Sequence, residues 1–320
     1  GKLLVFNAAG HIYKKELPNG KPERVTNGKD FEFYPAFSPD GKTLIFSTWD
    51  DENLGALVKV DIRKKNAKPI KLTSEKGFYT NASFSPNGKL IVYSKDGGNN
   101  HMGYAFGNER GLYYMTAEGK NPTLVQKSGF NPLFNASSDR IFFTSGGGGK
   151  YTFKSVNLNG NDERTHYTST YTDQFYPSPD NKWLAFVELF NGYVVPFSAN
   201  GAGMELSAET KAVPVARFTK DAGTSVHWSG DSKKVNWVLG DEYFSNDLKD
   251  RFAFLEGAPE KLPAIDTTGI KIGLEFKTDK PQGKVAFTNA RIITMKGDEV
   301  IEVGTIVVDG NRIVSVGKVI

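Results

Sequence analysis

Short runs in which apolar and polar residues alternate fill most of this chain, and they recur in groups of four. One group shows the order plainly. Tyr34-Pro35-Ala36-Phe37 precedes a turn, Thr43-Leu44-Ile45-Phe46-Ser47 follows it, Ala56-Leu57-Val58-Lys59-Val60-Asp61 comes third, and Lys71-Leu72-Thr73 ends the group. Alternation of period two, with Val, Ile, Thr, Phe and Tyr enriched, predicts half-buried strands. No apolar stripe of helical period runs through any window long enough for a helix.

The turn between the first two runs is the most regular phrase. It reads Phe37-Ser38-Pro39-Asp40-Gly41-Lys42 and then Phe84-Ser85-Pro86-Asn87-Gly88-Lys89. Worn copies lie at Phe134-Asn135-Ala136-Ser137-Ser138-Asp139-Arg140, Tyr176-Pro177-Ser178-Pro179-Asp180-Asn181-Lys182 and Trp228-Ser229-Gly230-Asp231-Ser232-Lys233. Gly1-Lys2-Leu3-Leu4-Val5-Phe6 reads as a sixth copy without its front half. Proline presets φ and glycine accepts positive φ, so the phrase is turn chemistry with a mechanism. The aromatic anchors are 47, 50, 42 and 52 residues apart, a repeat length that fits one four-stranded propeller blade. The expected fold is therefore all-β: a six-bladed, or partial, β-propeller over residues 1–256. The front half missing from the Gly1 copy leaves two ways to finish. Either a strand from near Lys271–Lys277 closes the circle, or an open arc exposes strand edges that invite oligomerisation.

Composition agrees with many short strands and tight turns: 34 glycines, 15 prolines, 23 phenylalanines and 13 tyrosines in 320 residues. A net charge of +4, from 40 basic and 36 acidic residues, supplies no basic stripe for nucleic acid, and none is expected as a partner. With no cysteine there is neither a disulfide nor a Cys-ligated zinc site. No apolar stretch is long enough to insert in a membrane as a helix, and no signal peptide is recognisable.

The pattern changes near the end. Residues 257–283 read as a linker. From Lys284 two long runs and a third after Asp309-Gly310 predict a short antiparallel meander over 284–320, which alone would need further packing partners.

The Phe-Ser-Pro-Asp-Gly-Lys repeats with Leu-Thr-like blade ends resemble the PD-type repeats of TolB, tricorn and dipeptidyl-peptidase propellers. The segment Thr288-Asn289-Ala290-Arg291-Ile292-Ile293-Thr294, followed by Gly304-Thr305-Ile306-Val307-Val308-Asp309-Gly310-Asn311-Arg312-Ile313, is similar to the N-terminal strands of the amidohydrolase superfamily. There such strands form half of a small β-sandwich beside a metal-bearing barrel. The phrase Phe186-Val187-Glu188-Leu189-Phe190-Asn191-Gly192-Tyr193 also fits the propellers that precede such enzymes. The resemblance implies a periplasmic or extracellular parent that hydrolyses C–N bonds. The propeller would then act as a substrate filter or scaffold, and this chain would be a fragment.

An amidohydrolase metal needs a His-x-His pair and further His and Asp ligands. The histidines here, His11, His101, His166 and His227, are scattered. No catalytic, cofactor or metal-ligating residue is therefore expected in this chain; a zinc-like divalent metal belongs to the absent barrel. No Gly-x-Ser-x-Gly elbow is present. Gly146-Gly147-Gly148-Gly149-Lys150 lacks the Ser/Thr and helix of a phosphate loop and reads as a blade loop. Asp50-Asp51-Glu52-Asn53 lacks calcium-loop spacing and reads as a turn.

In a blade, the loop entering the innermost strand and the loop after the second strand share one face. That face should carry Tyr34, Asp50, Tyr79, Asn99, Asn100, His101, Tyr104, Asp173, Gln174 and Glu188, with Phe31, Glu32, Asp51, Asn81 and Asp241 beside them. It is the candidate ligand-binding face, suited to a protein or peptide. The tryptophans Trp49, Trp183, Trp228 and Trp237 read as blade packing. Three functions stay open: the propeller of an amidohydrolase, with the missing barrel as the partner of 284–320; a stand-alone TolB-like binding module whose tail finishes the propeller; and a sugar-acting propeller enzyme.

Overall fold

The structure is a computed structural model describing residues 1–64, 67–96, 109–201, 203–278 and 280–318. It divides into two units, Gly1–Gly273 and Leu274–Ile320. Among its described residues the first holds six sheets in sequence order, antiparallel apart from one short parallel pair. Blade 1 has β1 (Leu3–Ala8), β2 (His11–Glu16) and β3 (Glu23–Arg24); blade 2 has β4 (Phe31–Phe37), β5 (Thr43–Asp50), β6 (Leu54–Asp61) and β7 (Ile70–Lys71). Blade 3 has β8 (Phe78–Phe84), β9 (Leu90–Asp96), β10 (Gly111–Thr116) and β11 (Thr123–Gln126). Blade 4 has β12 (Phe130–Phe134), β13 (Arg140–Gly147), β14 (Lys150–Asn157) and β15 (Arg164–Ser169). Blade 5 has β16 (Gln174–Pro177), β17 (Trp183–Glu188) and β18 (Asn191–Pro196); a short β19 (Met204–Glu205) leaves it before β20 (Ala216–Arg217) completes it. Blade 6 has β21 (Thr224–Trp228), β22 (Lys234–Leu239), β23 (Glu242–Asp247) and β24 (Ile270–Lys271), with a 3-10 turn at Leu248–Asp250.

Period-two alternation builds the core at the junctions between blades. Ile12 and Val25 pack with Leu44, Phe46 and Val58 between blades 1 and 2. Ile45 and Leu57 turn the other way, onto Tyr79, Ile91 and Tyr93 of blade 3. Similar clusters join blades 3 to 4, 4 to 5 and 5 to 6. Blade 6 meets blade 1 through a buried ammonium: Lys15 Nζ donates to the carbonyls of Lys271 (2.5 Å) and Ile272 (3.1 Å).

The repeated turn is a closed hydrogen-bond unit. Ser38 Oγ donates to Asp40 Oδ1 (2.6 Å) and accepts the Thr43 N–H (3.0 Å), while Lys42 N–H reaches the same carboxylate oxygen (3.1 Å). The Ser38 hydroxyl, then the Lys42 amide, hold the Asp40 carboxyl below its ordinary range. Ser85/Asn87, Ser178/Asp180 and Ser229/Asp231 repeat the geometry. The fourth turn residue is left-handed throughout: Gly41, Gly88, Ser138, Asn181 and Ser232, with φ between 56 and 71°.

Three expectations need correction. Ile270–Lys271 does not close blade 1; it pairs with Tyr243 and Glu242 as the outer strand of blade 6, so the propeller unit runs to Gly273 instead of 256. The tail does not finish the propeller either, because β25 (Lys284–Ile293), β26 (Val300–Asp309) and β27 (Arg312–Gly317) pair with one another. Nor are all blades four-stranded. Among the described residues blade 1 has three strands, and blade 4 gains β19, which runs parallel to β15 through Tyr167↔Met204 and Thr168↔Glu205. That excursion accounts for the 52-residue spacing of the last two anchors. In the second unit, Val285–Val308–Ile313 and Phe287–Ile306–Val316 form apolar rows across the sheet.

Candidate functional site

Antiparallel order sends the Ser-Pro-Asp-Gly turns to one face of the propeller and the hairpins joining second to third strands to the other. The hairpin face collects exposed large apolar side chains: Phe31, Leu54, Phe78, Tyr171, Leu189, Phe190 and Leu239. Phe37 and Ile70 stand on the turn face. Trp49, expected in the core, stands half-buried beside this surface, edge-on to Phe78 with ring centres 5.6 Å apart.

The hairpin of blade 5 is the sharpest feature. Glu188 pairs with Asn191, which leaves Leu189 and Phe190 as its two turn residues. Both are left-handed, with φ of 46 and 74°, and both are exposed, 61% and 78%. Such two-residue turns favour Asn-Gly, because bulky residues pay for positive φ. Equivalent hairpins in blades 1 and 6 use Ala9-Gly10 and Gly240-Asp241. The tip is braced on both sides. Gly223 N–H donates to Phe190 O (2.9 Å), Arg217 Nη2 to Asn191 Oδ1 (2.5 Å), and Ala208 N–H to the buried Glu188 Oε2 (3.0 Å).

The inner strands carry a second device. In β4, β8, β12 and β21 the register slips at Phe33/Ala36, Thr80/Ser83, Phe130/Leu133 and Thr224/His227. Each slip contains one left-handed residue, Tyr34, Asn81, Asn131 or Ser225, with φ of 50–54°. Bulges of this kind re-aim side chains, here on the strands nearest the propeller axis. Asn81 Nδ2 donates to Asn131 Oδ1 of the next blade (2.8 Å). His227 Nδ1 donates to Ser225 O (2.8 Å).

The sequence-predicted residues divide. Tyr34 is exposed on its bulge. Asp50 stands at the rim, where its carboxylate caps its own turn through the Glu52 and Asn53 amides (2.9 and 2.8 Å). Asp173 and Gln174 are half-buried at the start of β16, where Gln174 Oε1 accepts the Tyr176 hydroxyl (2.8 Å). Burial, then Asp173, pushes the Tyr176 phenol up to about 12. Tyr79 is not on the surface; it is 4% exposed and packs on Tyr93. Glu188 is likewise buried as a brace, and buried Glu32 joins blades 1 and 2 by accepting the Ile12 N–H (2.9 Å) and the Thr26 hydroxyl. Asn99, Asn100, His101 and Tyr104 lie outside the described residues. Gly148-Gly149 is the turn of a tight hairpin between β13 and β14.

Sequence reasoning missed Leu189, Phe190, Tyr171, Asn131 and Ser225. The Asn191-Gly192 pair looks like the hairpin turn, yet it belongs to β18, one step beyond the tip. Among the described residues no group of three or more His, Asp or Glu could hold a metal ion. No helix of the described residues is long and apolar enough to cross a membrane.

A family model for the TolB beta propeller domain matches residues 5–195. No curated protein sequence matches. Among solved structures, TolB from Acinetobacter baumannii superposes with a TM-score of 0.55 at 18% identity, over 73% of this chain and 56% of that one. This chain thus spans little more than half of that protein. A putative TolB from Agrobacterium tumefaciens gives 0.57 at 19% identity over 75% and 87%. An oligogalacturonate lyase in complex with manganese gives 0.52 at 10% identity over 74% and 70%. Likeness at such identities is likeness of fold. With more than half its length matched to the family model, the chain belongs to the TolB beta-propeller domain family.

Proposed function

We propose that this chain is a non-catalytic propeller that binds a protein on its hairpin face, with the Leu189–Phe190 tip as anchor, in the periplasm or outside the cell. The observation that carries the reading is the tip itself: two bulky apolar residues held rigid, exposed and left-handed at a turn where Asn-Gly would cost less. Exposed apolar neighbours around a braced knob fit a partner with an apolar pocket. Its test is a pull-down from extract of the source cells. A protein retained by the wild type and lost by Leu189→Asn/Phe190→Gly supports the reading; equal retention by both contradicts it.

A second reading attaches to residues 284–317. Their sheet carries the apolar rows of Val285, Phe287, Ile313 and Val316, all exposed, as strands do when further β-structure is to cover them. On this reading the sheet begins an amidohydrolase-type sandwich and the metal-dependent hydrolase lies in a longer parent. Immunoblotting the source cells tests it. A product well above the 35.2 kDa of this chain supports the parent, and a single band at that mass removes it.

A further inference from the structure

From blade 3 onward, each repeated turn is tied to the turn of the next blade. Ser138 Oγ accepts the Asn87 N–H (3.2 Å) between blades 3 and 4, and Asn181 Oδ1 accepts the Ala136 N–H between blades 4 and 5. Between blades 5 and 6, Ser232 Oγ accepts the Asp180 N–H (3.0 Å). The residue at this position between blades 2 and 3 is Gly88, which has no side chain to give. The nearest atom that a Cβ there would meet is Pro39 Cδ, 4.0 Å away, and the Asp40 N–H finds no acceptor among the described residues. A cavity of about 460 Å³ opens at this seam. Pro39, Val60, Ile70, Phe84 and Pro86 give it apolar walls. Asp40 and Asp61 also reach it, but each is paired with its own neighbour, Asp40 with Lys42 (3.5 Å) and Asp61 with Arg63 (2.7 Å). The charge left over is the half-buried Lys59. Its Nζ crosses the seam to donate to Ala117 O (2.6 Å), and no carboxylate pairs with it among the described residues. An ammonium has three donors, so two remain. Spare donors on a half-buried cation, beside an unmet backbone N–H, favour an anionic acceptor.

We propose that the seam between blades 2 and 3 is a binding site for a small free carboxylic acid with an apolar body. Its carboxylate accepts from Lys59 Nζ and the Asp40 N–H, and its body lies against Phe84, Ile70 and Pro86. A cavity of this size suits a small molecule, with mostly apolar walls and a few polar groups that fix orientation. The carboxylate would take the place that a serine hydroxyl or an asparagine carbonyl holds at the next three seams. Gly88 is thus the residue that keeps this seam open.

The site lies on the turn face, away from the hairpin tip, and is tested separately. Hydrocinnamate and isocaproate are each titrated into the protein and followed through backbone amide NMR shifts. Expected are saturable shifts at Asp40, Gly88 and Ala117 with at least one of the acids, and at least tenfold weaker binding of the neutral hydrocinnamamide. Gly88→Ser should weaken the acids at least tenfold by closing the seam, and it is compatible with the fold because Ser138 and Ser232 hold the same turn position at φ of 63 and 60°. Lys59→Met, which keeps the apolar stem and removes the charge, should do the same. Leu189→Asn/Phe190→Gly should bind the acids as the wild type does, so failure here and failure of the hairpin-face reading remain distinguishable. No shift at Asp40 and Gly88 with either acid, equal binding of the amide, or undiminished binding by Gly88→Ser would each overturn the proposal. Tighter binding of N-acetyl-glycyl-glycyl-phenylalanine than of hydrocinnamate would overturn the free acid as occupant in favour of a chain end.

Discussion

At the scale of single residues, the worn copies of the turn carry an interaction that the perfect copies lack. Where glycine is replaced, the new side chain reaches the preceding blade: Ser138 Oγ accepts the Asn87 N–H (3.2 Å), Ser232 Oγ the Asp180 N–H (3.0 Å), and Asn181 Oδ1 the Ala136 N–H. Loss of consensus thus coincides with a gain of inter-blade bonding, at positions whose φ near 60° burdens any side chain. Ser232→Ala should cost about 1 kcal/mol in urea unfolding, since it loses the bond and keeps the strain. Ser232→Gly should cost less, because it relieves the strain. A sequence shows such a position only as a departure from the repeat; its partner lies 52 residues away. His166 makes a second residue-scale case. It is buried among Phe142, Phe153 and Phe197, with Nε2 against Ser155 Oγ (2.8 Å) and Nδ1 without a partner. Burial first, then the positive charge of Arg140 and Arg164, lowers its pKa to about 4. A base depressed in the folded state binds fewer protons there than when unfolded. Stability is therefore full above about pH 6.5 and falls as pH drops toward 4. Equilibrium unfolding across that window should show a slope that His166→Phe reduces; identical slopes would refute the assignment.

At the scale of elements, long alternating strands were legible, and of the short ones those that end in a Leu-Thr-like phrase, such as Ile70–Lys71. The inner and central strands announce themselves by period two, but Met204–Glu205 and Ile270–Lys271 are only two residues each and have no period to read. Their places depend on what lies beside them. The excursion of blade 5 onto blade 4 is pinned by Leu206, fully buried against the aromatic cluster of both blades. Leu206→Ala should cost about 2–5 kcal/mol and open the segment to limited proteolysis; unchanged stability would mean the excursion is not a clasp. The Leu189–Phe190 hairpin shows the opposite failure, in which the favoured turn pair Asn191-Gly192 is present but displaced. Leu189→Asn/Phe190→Gly should raise stability by about 1–2 kcal/mol through relief of left-handed strain, read as a higher Tm. A lower Tm would show that the tip was folded for stability and not kept for contact. The candidate face was legible as a face, because strand order alone fixes which loops share it. Which side chains reach solvent was not, since Tyr79 and Glu188 are drawn inward by packing on Tyr93 and by the Ala208 amide.

At the scale of the whole molecule, blades 2 to 5 each contribute to two junction clusters and blades 1 and 6 to one each, so the propeller holds its loops on a packed frame. Apolar burial joins blades 1 through 6, while the meeting of blades 6 and 1 uses the Lys15 ammonium on two carbonyls. Repeat spacing made this architecture readable. The three-stranded first blade and the independent sheet of 284–317 became definite only with the pairing. The central claim is that the hairpin face binds a protein through the blade 5 tip. Its most direct test places a photo-crosslinking phenylalanine in turn at Phe190, Tyr171 and Phe78 on that face, and at Phe37 and Phe84 near the turn face, in the protein expressed in its source cells. The account predicts one discrete protein adduct from Phe190 and its neighbours and none from the turn-face positions. Adducts from Phe37 or Phe84 alone, or none at Phe190, would contradict it.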